Sequence, residues 1–246
     1  MKVVQYYGGI ILRTQQNTNK MNIQYYGHSC FEIRTGGKTI LVDPFISANP
    51  KAASIHIDDL NPDYILLTHA HYDHIWDVET IVDRTKAKLI SNHEIITYYK
   101  THKNYEGHPM NQGGSWDFDF GRLTAVNAVH SSSFPDETYG GNPLGFILKA
   151  EDKTVYLAGD TDLSMEMKLI PMFHQLDLAI LPIGGNFTMD VERAIVASDF
   201  IDCNRIVGVH YDTSPEITID HEKSIQLFKA KNKELILLEI GEILTV

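Results

Sequence analysis

Residues 66–77 read LLTHAHYDHIWD, which places His69, His71, Asp73 and His74 directly behind an apolar run. Imidazoles and a carboxylate crowded this tightly gain little from burial in an apolar core unless something pairs with them. A chain that keeps such a string must therefore expose it or bring distant partners to it. The second course restricts the fold to one that gathers several chain segments at a single edge.

The apolar runs supply such segments. NIQYYG, FEIRT and KTILVD read as early strands, with TGGK at 35–38 as a hairpin turn. YILLT (64–68) reads as a buried strand, WDFDF (116–120) alternates, and RLTAVNAVH follows a turn at Gly121. LGFILKA (144–150), TVYLAGD (154–160), DLAILPI (177–183) and RIVGVH (205–210) complete the set. Helical periodicity is expected from near His74 through IWDVETIVDRT, over 94–102, and at about 164–174, 190–202 and 220–231. YILLT runs into His69, LTAVNAV into His130, TVYLAG into Asp160 and RIVGV into His210. Each of these four strands thus delivers a metal-capable side chain at its carboxyl end, where open α/β sheets place ligand sites.

Composition removes several competing classes. The 246 residues are 43% hydrophobic, enough for one large domain without covalent staples. Lys and Arg number 21 against 32 Asp and Glu, a formal charge of −11 with no basic stripe, which argues against a nucleic-acid backbone as partner. Two cysteines, Cys30 and Cys203, exclude a disulfide scaffold and a Cys-based zinc site, and suit a reducing cytoplasm. No run reaches membrane-spanning length, so no membrane partner is expected. The opening twenty residues do not read as a secretory signal. VQYYGG at 4–9 echoes IQYYGH at 23–28, and residues 1–20 are expected to be an N-terminal extension to a single domain over 21–246.

Neutral imidazoles and carboxylates in this arrangement suit a pair of divalent ions held about 3.5–4 Å apart. The i, i+2 spacing of His69 and His71 points both rings the same way on an extended segment. Asp73 and His74, at the start of the next helix, can reach a second ion. His130 completes the first site and His210 the second, with Asp160 as the natural bridge. The plainer alternatives are an N-cap for Asp73 and strand-end turn residues for the distal three; their joint placement weakens that reading. Asp43 either shapes the turn before Pro44 or orients a ligand histidine. His28 either lines the cleft or ends a strand. Asn186 in IGGNFT, Tyr211, and Ser131 to Ser133 are candidates for substrate contact by adjacency. The other histidines fit no ligand pattern, and the two cysteines read as buried small hydrophobes.

With its distal partners, the H-x-H-x-D-H string resembles the metallo-β-lactamase superfamily. GHSCFEI (27–33), LVDPFIS (41–47), HSSS (130–133), YGGNPLGFIL (139–148), AGDT (158–161), PIGGNFTM (182–189) and GVHYDTSPEI (208–217) narrow the resemblance to small metal-dependent hydrolases related to ascorbate-6-phosphate lactonase, over residues 21–246. The resemblance implies an α/β four-layer αββα sandwich with the metals at one edge. It puts His69, His71 and His130 on one ion, Asp73, His74 and His210 on the other, and Asp160 on both. Asp73, His74 and Asp160 are then the catalytic residues, and the expected cofactor is two divalent ions, zinc or manganese, with iron and nickel open. The implied activity is the opening of a small lactone or ester, phosphorylated or not, by a metal-bridging hydroxide. An anionic small molecule is the expected partner, and homo-oligomerisation stays open. The alternatives are a phosphodiesterase acting on a small nucleotide or phospholipid-like substrate, and a non-catalytic metal-binding protein. A flavo-diiron oxidoreductase wants a carboxylate where His71 stands.

Overall fold

The structure is a computed structural model and describes residues 20–246. Apart from Lys20, the extension expected over 1–20 lies outside the described residues. The first half of the chain forms β1 (Asn22–Gly27), β2 (Cys30–Thr35), β3 (Lys38–Val42), β4 (Tyr64–Leu66), helices α1 (Tyr72–Ile75) and α2 (Val78–Thr85), β5 (Lys88–Asn92), α3 (His93–Lys103) and β6 (Gly107–Met110). The second half forms β7 (Ser115–Phe118), β8 (Gly121–Asn127), β9 (Leu144–Ala150), β10 (Lys153–Leu157), α4 (Ile170–Phe173), β11 (Leu178–Pro182), α5 (Val191–Phe200), β12 (Arg205–Val209), α6 (His221–Lys229) and β13 (Glu234–Ile236). A last strand, β14 (Ile243–Thr245), returns to the first half and pairs with β1.

Two seven-stranded sheets result, ordered β14-β1-β2-β3-β4-β5-β6 and β13-β12-β11-β10-β9-β8-β7. Each is antiparallel at one end and parallel at the other: β3 to β6 run parallel in the first, and β10 to β13 in the second. The parallel strands are apolar on both faces because both faces are covered. Ile40 and Val42 point between the sheets while Leu41 points to the helices; Ile180 points inward while Ala179 and Leu181 point outward. The period of two along each strand thus feeds three cores. One lies between the sheets, one under α1 to α3 and one under α4 to α6. This is the four-layer αββα sandwich of the metallo-β-lactamase type. Among the described residues, no helix is long and apolar enough to cross a membrane.

Three details depart from the sequence reading. The helix expected to run from His74 through Thr85 is two helices, broken at Trp76 and Asp77. The Asp77 carboxylate turns away to accept from the amides of Ile46 and Ser47 (2.6 and 2.9 Å) and from the Ser47 hydroxyl. That buried demand from the 43–47 loop outweighs helix continuity. The stretch 164–174 is likewise a 3-10 turn (Met165–Leu169) followed by the short α4. Finally, only β12 hands its ligand-type residue over directly. β4, β8 and β10 stop at Leu66, Asn127 and Leu157, so His69, His130 and Asp160 stand on the loops just beyond.

Candidate metal centre

Those loops converge at one edge of the sandwich, where backbone bonds tie the two sheets together. His210 donates its amide to the His28 carbonyl (2.9 Å) and Leu144 donates to the Thr68 carbonyl (2.9 Å). The price of this geometry is local strain: His28, Asp43 and His210 are all left-handed, at φ 55°, 44° and 57°. Non-glycine residues in that region cost of order 1 kcal/mol each and tend to collect at functional sites.

The seven ligand-type residues predicted from sequence are brought together. His69, His71 and His130 place one nitrogen each within 4.8 Å of one another, with His69 Nε2 3.0 Å from His71 Nδ1. His28, Asp73, His74 and His210 form a second such group, and His69, His74 and Asp160 a third that joins the two. Asp160 Oδ2 is the hub, 2.9 Å from His210 Nε2, 3.3 Å from His74 Nε2 and 3.8 Å from His130 Nε2. Asp73 Oδ2 lies 3.8 Å from His210 Nε2 and 3.9 Å from His74 Nε2.

Residues around this set hold it in place. Asp43, fully enclosed, accepts from the Thr68 amide (2.8 Å) and hydroxyl (2.7 Å) and meets His74 Nδ1 at 2.8 Å. A proton on Nδ1 leaves the Nε2 lone pair of His74 aimed at Asp160, the tautomer a metal ligand needs. His28 is buried, with Nε2 3.0 Å from Asp73 Oδ2 and Nδ1 2.9 Å from the Thr213 hydroxyl. Asp73 does not cap α1: His71 occupies the N-cap position, without a side-chain bond.

Burial and mutual contact shift the cluster's titrating groups in opposite directions. Burial drives His69 well below the usual imidazole range and lowers His28 to about 4. Burial also opposes charge on His74, but Asp160 and Asp43 outweigh it and raise its pKa. For Asp160, burial pushes upward, and the neighbouring His210 and His74 reverse it to well below the carboxylate range. His74 Nε2 and Asp160 Oδ1 are buried without a hydrogen-bond partner. Orphaned buried polar atoms of this kind are rare in a folded protein. Their position inside the ligand-type cluster fits a divalent ion in an N/O site.

A beta-lactamase superfamily domain model matches residues 38–211, most of the chain. The chain belongs to the metallo-β-lactamase superfamily. It is 60% identical over 222 residues to a UPF0173 metal-dependent hydrolase of Flavobacterium johnsoniae, spanning 90% of this chain and 98% of the relative. A UPF0173 metal-dependent hydrolase of Christiangramia forsetii is 54% identical over 223 residues, with the same coverage. Among solved structures, Igni18, a metallo hydrolase from the hyperthermophilic archaeon Ignicoccus hospitalis, superposes with a TM-score of 0.83 at 34% identity, covering 92% of this chain and 98% of that one. The chain is therefore a metal-dependent hydrolase of this superfamily, with a His/Asp cluster able to bind metal.

The candidates for substrate contact separate. Past the end of β12, His210 stands in the cluster while Tyr211 packs into the core under the outer helices and lines a small cavity with His28. It is buried there and meets the His221 ring edge-on. Asn186 stands exposed at a loop tip with φ 50°. Ser131 Oγ lies 3.3 Å from His71 Nε2, whereas Ser132 Oγ accepts from the Ala70 amide (3.2 Å) and donates to the Gly140 carbonyl (3.0 Å). Thr68 and Thr213 escaped the sequence reading; a hydroxyl directly before His69 was the available signal for the first. Cavities of about 730 and 570 Å³ lie elsewhere, on β8 to β10 and beside β6, and none of the seven residues lines them. Ligand chemistry locates the site here, and cavity size does not.

Proposed function

We propose that the chain is a dinuclear hydrolase that opens a small lactone or ester. The carrying observation is the position of Asp160 Oδ2 between His74, His210 and His130, which supports a carboxylate shared by two ions. His69, His71 and His130 would hold one ion and Asp73, His74 and His210 the other, with zinc or manganese suited to the donor set and iron or nickel accommodated by it. When bound, such a pair supplies a water-derived nucleophile at neutral pH and polarises the electrophilic oxygen.

The remaining roles belong to side chains. Asp43 fixes the tautomer of His74, and His28 fixes the carboxylate plane of Asp73 through the 3.0 Å contact. Asp73, partly open to solvent, is placed to accept a hydrogen bond from the attacking water and so to orient it. Cys30 and Cys203 are both buried and unbridged, which supports a reducing, cytoplasmic setting.

The test is reconstitution with defined metals, elemental analysis, and a hydrolysis screen of lactones, carboxylic esters, thioesters and phosphodiesters. Turnover of a lactone or ester at about two ions per chain supports the reading. Full metal loading with turnover confined to phosphodiesters would replace the carbonyl substrate by phosphorus.

A further inference from the structure

The segments that carry or abut the ligand cluster, residues 43–49, 69–77, 128–142, 158–164, 183–190 and 208–214, contain no Lys or Arg. Beyond the ligand carboxylates they do carry acids, among them Asp136, Glu137, Asp162, Asp190 and Asp212. Two basic residues come near. Arg193 lies 3.7 Å from Asp162, and Lys51 lines a cavity of about 170 Å³ on the Thr213 side of His28. A remote phosphate or carboxylate on a substrate would normally be held by a guanidinium, an ammonium or a bidentate donor pair. These segments offer it none.

They offer aromatic surface instead. Tyr72, Trp76, Tyr139 and Phe187 are each more than half exposed. Tyr72 sits between His71 and Asp73, and its ring is 6.0 Å from Phe45, which meets His28 at 5.5 Å. Trp76 ends the turn that carries Asp73 and His74. Tyr139 precedes Gly140, whose backbone is pressed against Ala70 between His69 and His71. Phe187 stands on the loop whose Gly184 abuts the His210 carbonyl and whose Met189 amide donates to the Thr161 carbonyl at 3.1 Å. Apolar surface gathered on loops that converge at one site is the form a ligand-binding groove takes.

We infer that the substrate bears an uncharged apolar group, aryl or alkyl, beside the scissile bond, and that Tyr72, Trp76, Tyr139 and Phe187 select it. This rests on the hydrolase reading above and departs from the anionic substrate expected from sequence. The cations can attract charge at the reacting atoms, but a second anionic group would meet acids there, with Arg193 paired to Asp162 and Lys51 on the Thr213 side of His28.

Binding of metal-chelating probes to the metal-reconstituted protein tests this without turnover. Calorimetry with benzohydroxamate and its para-carboxylate analogue should show the uncharged probe binding tighter by about 10-fold or more, the scale expected for a buried ring against a desolvated, unpaired charge. Trp76→Ala and Tyr139→Ala should each erode that advantage, and Phe187→Lys should improve binding of the carboxylate probe. Equal or tighter binding of the carboxylate probe to the unmodified protein, or no binding of either, overturns the inference. The hydrolase reading fails separately: a sample that keeps the probe preference but hydrolyses neither phenyl acetate nor neutral lactones would refute the activity and leave the apolar binding surface standing.

Discussion

His74 and Asp43 form a sealed pair, with Nδ1 2.8 Å from Oδ2 and neither side chain exposing more than 1% of its surface. The carboxylate reaches the ligand set by two routes, directly through His74 and through the Thr68 hydroxyl, which donates to it at 2.7 Å and lies 3.0 Å from His69 Nδ1. Asp43→Asn weakens this support without straining the chain, because asparagine tolerates the left-handed backbone that residue 43 adopts. The variant should fold, and its affinity for the ion assigned to His74 should fall by about 10- to 100-fold. Competition against a chromophoric chelator measures this, and an unchanged affinity would deny Asp43 the role.

Gly184 is a second point of leverage, through packing alone. A Cβ on it would stand 2.1 Å from the His210 carbonyl oxygen and 2.9 Å from Ile217 Cβ, both of which are parts of the frame. Gly184→Ala must therefore displace His210, at a cost of roughly 1–3 kcal/mol for overpacking. Melting temperature and metal content should drop together. Gly185→Ala provides the contrast: its Cβ would meet nothing closer than 3.5 Å, so the cost there is confined to the left-handed backbone, φ 72°.

Metal removal should also lower stability. The cluster buries Asp160 with His69, His74 and His210, leaving polar atoms unpaired unless a cation joins them. An ion present at a thousandfold excess over its Kd contributes about 4 kcal/mol, which for a domain of this size is roughly 10 °C in melting temperature. Thermal unfolding with and without a chelator should show a loss of that order, reversed by adding zinc or manganese. Identical curves would mean that the folded cluster holds no metal.

How far the sequence reaches can be read from individual residues. His69, His130, Asp160 and His210 were legible because each follows an apolar strand, and strand direction forces their loops to one edge. The break at Asp77 was not, since its cause is a set of amide donors about thirty positions earlier in the chain, at Ile46 and Ser47. β6, with the sequence GHPM, carries no alternation; it exists as an edge strand because β5 offers it a ladder, and edges tolerate proline. For Tyr211, adjacency to a ligand could not by itself say that the side chain packs into the outer core. His28 stayed ambiguous for a related reason: its partners Asp73 and Thr213 lie on α1 and on the loop after β12, both far off in the chain.

Asp160 and Asp162 separate ligand from neighbour most sharply. Asp160 is buried and central to the cluster, whereas the Asp162 side chain is 53% exposed, accepts from the Leu163 amide at 2.8 Å and faces Arg193. Asp160→Asn keeps the size but removes the charge that offsets repulsion between two cations. It should fold, lose at least one ion readily, and fall by on the order of 10²-fold or more in hydrolysis, as for other strong transition-state electrostatics. Asp162→Asn should keep both ions and most of the activity, because an exposed ion pair contributes about 1 kcal/mol or less. Metal occupancy and turnover are to be measured for both variants in one buffer at one metal concentration. If Asp162→Asn is crippled while Asp160→Asn retains its full metal content, the bridging role has been given to the wrong carboxylate.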